Sequence, residues 1–170
     1  GYADYGSWQR QWLADGEAER QLQYWKAHLG GELPALDLCT DHPRASQREH
    51  SAARFSLKVP ARLGEALKGL AHQQQASLFM VLLAGWQALL QRYSGQADIR
   101  VGVPNANRPR LETQGMVGFF INTQVLRAQF DGRHSFTQLL TQVRQATLQA
   151  QANQGLPFEQ LVEALSLIHI

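Results

Sequence analysis

Cysteine is almost absent from the sequence, which has one among 170 residues, so an intramolecular disulfide is excluded. We interpret Cys39 as a small buried apolar residue, because that is the commonest role of a lone cysteine. The six histidines are dispersed, and no two of them stand at metal-ligand spacing on a predicted helix. The sequence therefore predicts no metal site.

Clusters of basic residues are also missing. Lys and Arg (16) barely outnumber Asp and Glu (14), the formal net charge is +2, and the basic residues are scattered. Nucleic-acid binding needs a basic stripe, so this class of partner is excluded. The longest apolar stretch, Leu78–Leu90, contains Gln87 and is too short to span a bilayer. With no signal peptide visible, we predict a cytoplasmic protein that has no membrane partner.

Apolar residues at helical spacing are plentiful, and with 44% hydrophobic residues the chain is long enough to bury one core. We predict a helix over Leu78–Tyr93, capped by Ser77 and fully buried because it is apolar on several sides. Ser135 is predicted to cap another helix. Three further helices are predicted, over Ala18–Leu29, from Pro60 to about Gln75, and from Pro157 to Leu165.

Alternation of apolar and polar residues predicts three strands, over Ala53–Val59, Asp98–Pro104 and Phe119–Phe130. Helices and strands then follow one another in the order expected of an α/β protein, a two-layer α+β sandwich. Three strands leave unpaired sheet edges, so we expect further strands outside this sequence. The aromatic residues from Tyr2 onward also favour a piece of a larger fold.

The densest group of candidate functional residues lies between the second and third predicted strands. Asn105, Asn107 and Arg108 follow one strand, Glu112 lies in the loop, and Gly118 precedes Asn122 and Thr123. Polar groups at strand ends beside glycines are typical of functional sites. The alternative is that the asparagines satisfy turn backbone while Arg108 pairs with Glu112. Spacing alone leaves both open.

This segment resembles the fifth signature of the condensation domains of nonribosomal peptide synthetases, close to GxPxANRxxxExxxxxGxFxNT. Tyr2–Leu13 is similar to the fourth signature (YxDYAxWQRxWL), and Asn153–Val162 to the sixth ((H/N)QDxPFExLV). Three signatures in order cover nearly the whole chain. The sequence departs from them at Gly6-Ser7, where small apolar residues are usual, and at Gly155, where an acidic residue is common.

The resemblance implies one lobe of a two-lobed fold related to chloramphenicol acetyltransferase. It also implies amide-bond formation between substrates that donor and acceptor carrier domains deliver on phosphopantetheine arms. The expected partners are the upstream lobe of the same domain, both peptidyl carrier domains and an adjacent adenylation domain. No cofactor is expected to bind this chain directly. The catalytic histidine belongs to an HHxxxDG motif on the other lobe, and this sequence contains no His-His pair.

No residue of this chain is therefore predicted to be catalytic. The resemblance assigns one set of residues to the substrate tunnel and its acceptor side: Asn105, Asn107, Arg108, Glu112, Gly118, Asn122 and Thr123. A second set is assigned to packing within the signatures: Tyr5, Trp8, Trp12, Phe119, Pro157, Phe158 and Glu159. Asn122 remains open between a hydrogen-bond donor near the reacting carbonyl and a satisfied amide at a strand end.

We expect residues 1–165 to be the C-terminal lobe of such a domain, truncated at both ends. Residues 166–170 match the translation of a common sequencing adapter, and we expect them to be non-native. Two alternatives are an epimerization domain, which inverts an α-carbon, and a non-catalytic lobe that docks carrier domains. A fragment without the HHxxxDG motif is expected to be inactive by itself.

Overall fold

A computed structural model describes residues 1–32, 35–43, 52–108 and 110–165. Two strands form an antiparallel sheet, β1 (Asp98–Asn105) and β2 (Asn122–Gln129). The helices are α1 (Tyr2–Trp12), α2 (Ala18–Leu29), α3 (Ala61–Gln73), α4 (Leu78–Ser94), α5 (Leu111–Gln114), α6 (Phe136–Ala152) and α7 (Phe158–Leu165). The predicted mixture of helices packed on a sheet is confirmed, and none of the helices in these ranges is long and apolar enough to cross a bilayer.

The sheet is short and its register is regular. Asp98 lies opposite Gln129 at one end, and Asn105 lies opposite Asn122 at the other. Helices α4 and α6 pack against the sheet and against each other. Side-chain amides reinforce the layers, since Gln87 of α4 donates to the Leu126 carbonyl at 3.1 Å. This layer arrangement brings the β1–β2 loop and the end of α6 to the same end of the sheet.

Local signals account for the helix boundaries. The hydroxyl of Ser77 accepts a hydrogen bond from the backbone N–H of Met80, as predicted for the cap of α4. Ser135 and Gln138 cap α6 reciprocally, with each side chain bonded to the other residue's backbone N–H. Gly95 ends α4 in the left-handed conformation (φ 69°), which a residue with a Cβ adopts at a cost.

The core lies between the sheet and its helices. It is centred on side chains that are almost completely removed from water, such as Val81, Val125 and Leu140. Trp25 and Leu29 join it from α2. Each buried side chain of this size contributes roughly 1.5–3 kcal/mol to stability.

A π-helical turn, Leu13–Glu17, connects α1 to α2. Within it Gly16 has φ 111°, a conformation that side-chain-bearing residues rarely adopt. The change of direction at Gly16 sends α1 away from the axis of α2. Helix α1 contains no fully buried residue, in contrast to α2.

Several sequence predictions are wrong in detail. Ala53–Val59 forms no strand and pairs with no described strand, and Phe55 is 89% exposed. Alternation marks a strand only where a neighbouring strand accepts its hydrogen bonds. The third predicted strand begins at Asn122 rather than Phe119. Cys39 is exposed, because it lies in an irregular segment outside the core. Residues 166–170, which we expect to be non-native, lie outside the described part of the chain.

The prediction that α4 is buried on all sides is also wrong in the described structure. One side of α4 faces the sheet and contains Val81 and Ala84. The opposite side exposes large apolar side chains, including Trp86 at 52%. Helix α4 therefore has more apolar surface than this sheet can cover.

Candidate functional site

The three signature segments, remote from one another in sequence, meet at one place. Helix α1, the β1–β2 loop (residues 105–122) and the turn at residues 153–158 contact one another at the end of the sheet where β1 finishes. We call this region the signature junction. It brings most of the predicted site residues together, although Glu112 is exposed on α5.

Asn122 connects the fifth signature to the sixth. Its side-chain nitrogen donates to the carbonyls of Leu156 (2.8 Å) and Gln154 (3.3 Å). Its side-chain oxygen accepts from the backbone N–H of Phe158 at 3.0 Å. The carboxamide thus occupies both its donor and acceptor capacity within the chain, which makes it a positioning group for the 153–158 turn. Its neighbour Thr123 lies opposite Pro104 in the ladder.

Asn105 has both a local and a cross-chain role. Its side-chain oxygen accepts from the backbone N–H of Asn107 at 3.0 Å, which is the turn interaction that the sequence left open. Its nitrogen donates to the side-chain oxygen of Gln154 at 2.6 Å. Asn107 is only 7% exposed and has φ 50°, a left-handed conformation that asparagine tolerates better than most residues. The β1 end and the 153–158 turn are therefore bonded directly.

Arg108 holds the β1–β2 loop closed. Its guanidinium donates to the carbonyls of Thr113 and Met116, the second at 3.0 Å, and lies 4.0 Å from the ring centre of Phe120. The alternative pairing of Arg108 with Glu112 is wrong, because α5 directs Glu112 to solvent while carbonyls at its end face the arginine. A cation over an aromatic face adds to these hydrogen bonds.

Aromatic contacts attach α1 to this loop. The hydroxyl of Tyr2 donates to the Phe119 carbonyl at 2.7 Å, and the Tyr5 ring lies 4.8 Å from that of Phe120. Phe120 is 5% exposed and Phe119 74%, so Phe120 takes the packing position. Gly118 allows the approach, because a Cβ there would collide with the Tyr2 ring. Burial, together with the nearby Tyr2, raises the pKa of Tyr5 against the opposing charges of Arg110 and Arg108.

Tryptophans of α1 and α2 contact the 153–158 turn. The rings of Trp8 and Trp12 stack 5.4 Å apart, and Arg110 lies 4.0 Å above Trp8. A Cβ at Gly155 would come 2.5 Å from the Trp12 ring, so this glycine makes room for the tryptophan. On α2, Trp25 donates from its ring nitrogen to the Asn153 carbonyl at 3.1 Å.

Sequence reasoning missed Gln21, Gln154 and Phe120. Gln21 is 2% exposed, and its side-chain oxygen accepts from the backbone N–H of Leu156 at 2.8 Å. A signal was present, because Gln21 stands four residues before Trp25 on the face of α2 that enters the core. A signal was present for the other two as well, because Gln154 occupies the fixed Q of the sixth signature and Phe120 the fixed F of the fifth.

Two open grooves flank the signature junction. One, of about 550 Å³, lies between α1 and the 153–158 turn and is lined by Tyr5, Asn107, Phe119, Asn122, Pro157 and Glu159. The other, of about 640 Å³, lies between the start of α4 and the end of α6 and is lined by Met80, Asn105, Arg108, Gln124 and Gln154. Phe158 instead packs against the core. Amide and guanidinium groups suit binding to carbonyl and amide groups rather than proton transfer.

Metal ligation has no support in this geometry: across the ranges that the structure describes, no three His, Cys, Asp or Glu side chains are gathered in one place. His28, in the last turn of α2, is partly buried and remote in sequence from the signatures. Burial, followed by the charges of Arg127 and Arg100, lowers its pKa.

Comparison with known proteins agrees with this geometry. The Condensation domain family matches residues 1–169. A linear gramicidin synthase from Brevibacillus parabrevis is 49% identical over 166 residues, which are 98% of this chain and 2% of that protein. Malpibaldin synthetase from Mortierella alpina is 44% identical over 162 residues, 95% of this chain and 3% of that protein. The chain belongs to the condensation domains of nonribosomal peptide synthetases.

Solved structures show the same fold. The first condensation domain of the calcium-dependent antibiotic synthetase, in complex with a substrate analogue, superposes with a TM-score of 0.84 at 24% identity. It covers 96% of this chain, and the chain covers 38% of it. The X-domain from teicoplanin biosynthesis superposes with a TM-score of 0.88 at 24% identity, covering 99% of this chain and 38% of its own. The chain thus spans less than two-fifths of these solved domains.

Proposed function

We propose that residues 1–165 are part of the C-terminal lobe of a condensation domain that forms amide bonds between carrier-bound thioesters. The observation that carries this proposal is the signature junction, in which amide hydrogen bonds join the fifth signature to the sixth and the Tyr2 hydroxyl bonds the fourth to the fifth. In the reaction, the acceptor's neutral amine attacks the donor's thioester carbonyl, and the thiol leaves as the amide forms. Holding amine and carbonyl together supplies much of the rate enhancement in such a step.

The substrates reach the site on the phosphopantetheine arms of donor and acceptor carrier domains. The upstream lobe supplies the HHxxxDG histidine, and an adenylation domain selects the amino acid. A solved four-domain nonribosomal peptide synthetase contains a segment that superposes on this chain with a TM-score of 0.81 at 25% identity, which supports a multidomain setting. We place the intact synthetase in the cytoplasm.

The residues of this chain act by shaping the tunnel. Asn107, Phe119 and Asn122 line the groove beside α1, and Asn105 with Arg108 lines the groove beside α4. Asn122 positions the 153–158 turn through three backbone contacts, so its effect on the reaction is indirect. Gly118 and Thr123 support the tunnel where the loop leads back into β2. Glu112 supports it from the exposed surface of α5.

The decisive experiment uses the intact condensation domain encoded by the same gene, with its donor and acceptor carriers loaded. We expect an amide product on the acceptor carrier, detected by mass spectrometry of the carrier-bound arm. Replacement of the second HHxxxDG histidine by alanine, as the control, should abolish product. No product from any matched pair of loaded carriers would falsify the proposal, and deuterium exchange at the α-carbon without product would support epimerization instead.

A second candidate is a lobe that docks a partner without catalysis. The X-domain of teicoplanin biosynthesis, solved in complex with OxyB, superposes on this chain with a TM-score of 0.87 at 25% identity. The same experiment separates the candidates. A docking lobe binds its partner with no amide product, and its gene would carry a degenerate motif where HHxxxDG is expected.

A further inference from the structure

A smaller cavity lies within the signature junction, bounded by α1, α2 and the end of α6. Its volume is about 270 Å³, the space of about nine water molecules in the liquid. Gln151 and Gln154 line both this cavity and the groove beside α4, whereas Tyr5 and Asn107 line both this cavity and the groove beside α1. We call it the junction cavity, because it shares walls with both grooves and belongs to neither.

Three aromatic rings of α1 line the junction cavity: Tyr5, Trp8 and Trp12. The rings of Trp8 and Trp12 are nearly parallel, at an interplanar angle of 17°, and the Tyr5 ring lies 5.7 Å from that of Trp8. All three side chains are only partly buried, so the core does not cover them completely. Ring surface that remains uncovered beside a cavity suits stacking of a planar ligand.

The charge of the cavity lining is positive. Arg20 and Arg110 both line it, and none of the described residues that line it is acidic. Arg20 is already paired with Glu17 at 2.9 Å and donates to the Asn153 side chain. The guanidinium of Arg110 lies 4.0 Å above the Trp8 ring, and no acceptor in the described ranges bonds to it. Because the N–H groups of a guanidinium point outward in its plane, those of Arg110 are available to an anion.

The side-chain amide of Asn107 is buried beside the cavity without a partner. The residue is 7% exposed, and its side chain bonds to no residue in the described part of the chain. Its amide atoms are not sealed from solvent, because the sealed, unpartnered side-chain atoms among the described residues belong to His28 and Gln87. A left-handed backbone at a residue other than glycine (φ 50°) is costly and is often found at functional sites. The amide can therefore donate to and accept from a ligand.

We propose that the junction cavity binds a small aromatic carboxylate. The ring of the ligand stacks on the indoles of α1, and its carboxylate accepts hydrogen bonds from Arg110. Asn107 bonds to a second polar group of the ligand, such as a ring N–H or hydroxyl. The positive charge of the lining selects the acid over its amide, and the indoles select a planar ring over an aliphatic chain. No reaction is assigned to this site, which is additional to the proposed tunnel.

NMR titration of the intact condensation domain encoded by the same gene tests the proposal, with indole-3-acetate as the probe. Indole-3-acetamide is its neutral analogue, and acetate lacks the ring. With tryptophan labelled by ¹⁵N, the indole N–H signals of Trp8 and Trp12 report on the cavity, and that of Trp86 on α4 is the internal reference. We expect a dissociation constant of about 1 mM or lower for indole-3-acetate, and binding at least about tenfold weaker for both analogues.

Arg110→Gln tests the contact with the carboxylate, and Arg62→Gln, at an exposed arginine on α3, is the matched control. Arg110→Gln should weaken binding of indole-3-acetate at least about tenfold and leave indole-3-acetamide within about twofold, because only the acid loses a charge-assisted hydrogen bond. Arg62→Gln should change neither affinity. Equal losses for acid and amide, or no loss in Arg110→Gln, would overturn the proposal.

The unsubstituted protein decides the matter even where a variant fails to fold. Shifts of the Trp8 and Trp12 signals with Trp86 unmoved support the site, whereas equal shifts of all three, or none up to about 10 mM probe, contradict it. Binding to the 170-residue chain but not to the intact domain would also overturn it, because the rest of the domain would then occupy the cavity. Since the titration uses no carriers, binding to a domain that forms no amide would support this inference while counting against the proposed function.

Discussion

The carboxamide of Asn122 contacts three backbone groups of one turn, and a change of a single atom tests that arrangement. In Asn122→Asp, an oxygen replaces the nitrogen that donates to the Leu156 and Gln154 carbonyls. We expect the free energy of unfolding at neutral pH to fall by about 1–3 kcal/mol, because a carboxylate then faces two acceptors. Urea unfolding of the chain measures this.

Gln151→Glu is the matched control for Asn122→Asp. It makes the same amide-to-carboxylate change on α6, where the side chain is exposed. Surface changes of this kind alter stability by about 0.5 kcal/mol or less. If both variants unfold at the same urea concentration, Asn122 does not hold the 153–158 turn.

At the scale of single residues, the sequence predicts which residues lie in the signature junction better than it predicts their hydrogen-bond partners. The pattern brings Asn105, Asn107, Arg108 and Asn122 to one place, and they lie there. It does not predict that Arg108 bonds to carbonyls five and eight residues later, because those carbonyls are positioned by the path of the whole loop. The fixed F of the fifth signature falls on Phe120, and Phe120 rather than Phe119 is the buried ring.

Between elements, an ionic group joins the sheet to the end of α2. Asp98 bonds to Arg127 (2.7 Å) and Arg100 (3.2 Å), and these arginines donate to the carbonyls of His28 and Leu29 at the C-terminal end of α2. Positive charge at the end of a helix where carbonyls are free is stabilising. Burial alone would raise the pKa of Asp98, but the hydrogen bonds and charges of Arg127 and Arg100 outweigh it and hold that pKa below its usual value.

The lowered pKa of Asp98 leads to an acid-dependent stability. A depressed folded-state pKa stabilises the protein above the unfolded pKa of about 3.9, and the gain is lost as pH falls through the folded value. Asp98→Asn should reduce the free energy of unfolding by about 2–4 kcal/mol at pH 7, since Arg100 is only 3% exposed and loses its partner. The difference from the unsubstituted chain should shrink below about pH 4.

Thermal unfolding between pH 7 and pH 2 measures this dependence. Asp37→Asn serves as the control, because Asp37 lies exposed in an irregular segment and its removal should leave the curve in place. A constant difference between Asp98→Asn and the unsubstituted chain at every pH would contradict the assignment.

Helices are predictable here because the signals that determine them are local in sequence. Strands are less predictable, because each strand also depends on a partner strand. The apolar spacing of Ala18–Leu29 and the capping serines describe α2, α4 and α6 almost to the residue. Segment 53–59 has an equally clear pattern but is not a strand in the described structure, since its partner determines the outcome. The burial of α4 was overestimated for the related reason that it depends on what covers it.

Stability is distributed unevenly over the whole molecule. The core between the sheet, α4 and α6 contains fully buried side chains, whereas α1 has none and is attached mainly by aromatic rings. Regions with few buried apolar contacts open at a lower free-energy cost than the core. Amide hydrogens of α1 should therefore exchange faster than those of α6.

Phe120→Ala should enlarge this difference. It removes the ring that Tyr2, Tyr5 and Arg108 share, so exchange within Tyr2–Trp12 should rise at least tenfold while exchange in α6 is unchanged. Phe136→Ala, a phenylalanine that is 39% exposed on α6, is the control and should leave α1 as it was. Uniform acceleration across the chain after Phe120→Ala would show that α1 is part of the cooperative core.

The turn at Gly16 also determines where two tryptophans point. Trp12 and Trp25 are thirteen residues apart, and in one unbroken α-helix their side chains would project about 140° from each other. With the π-helical turn between them, Trp12 lies against Gly155 while Trp25 bonds to the Asn153 carbonyl. Both indole rings therefore contact the same tight turn, at Gly155 and Asn153, although the kink at Gly16 separates the two helices that carry them.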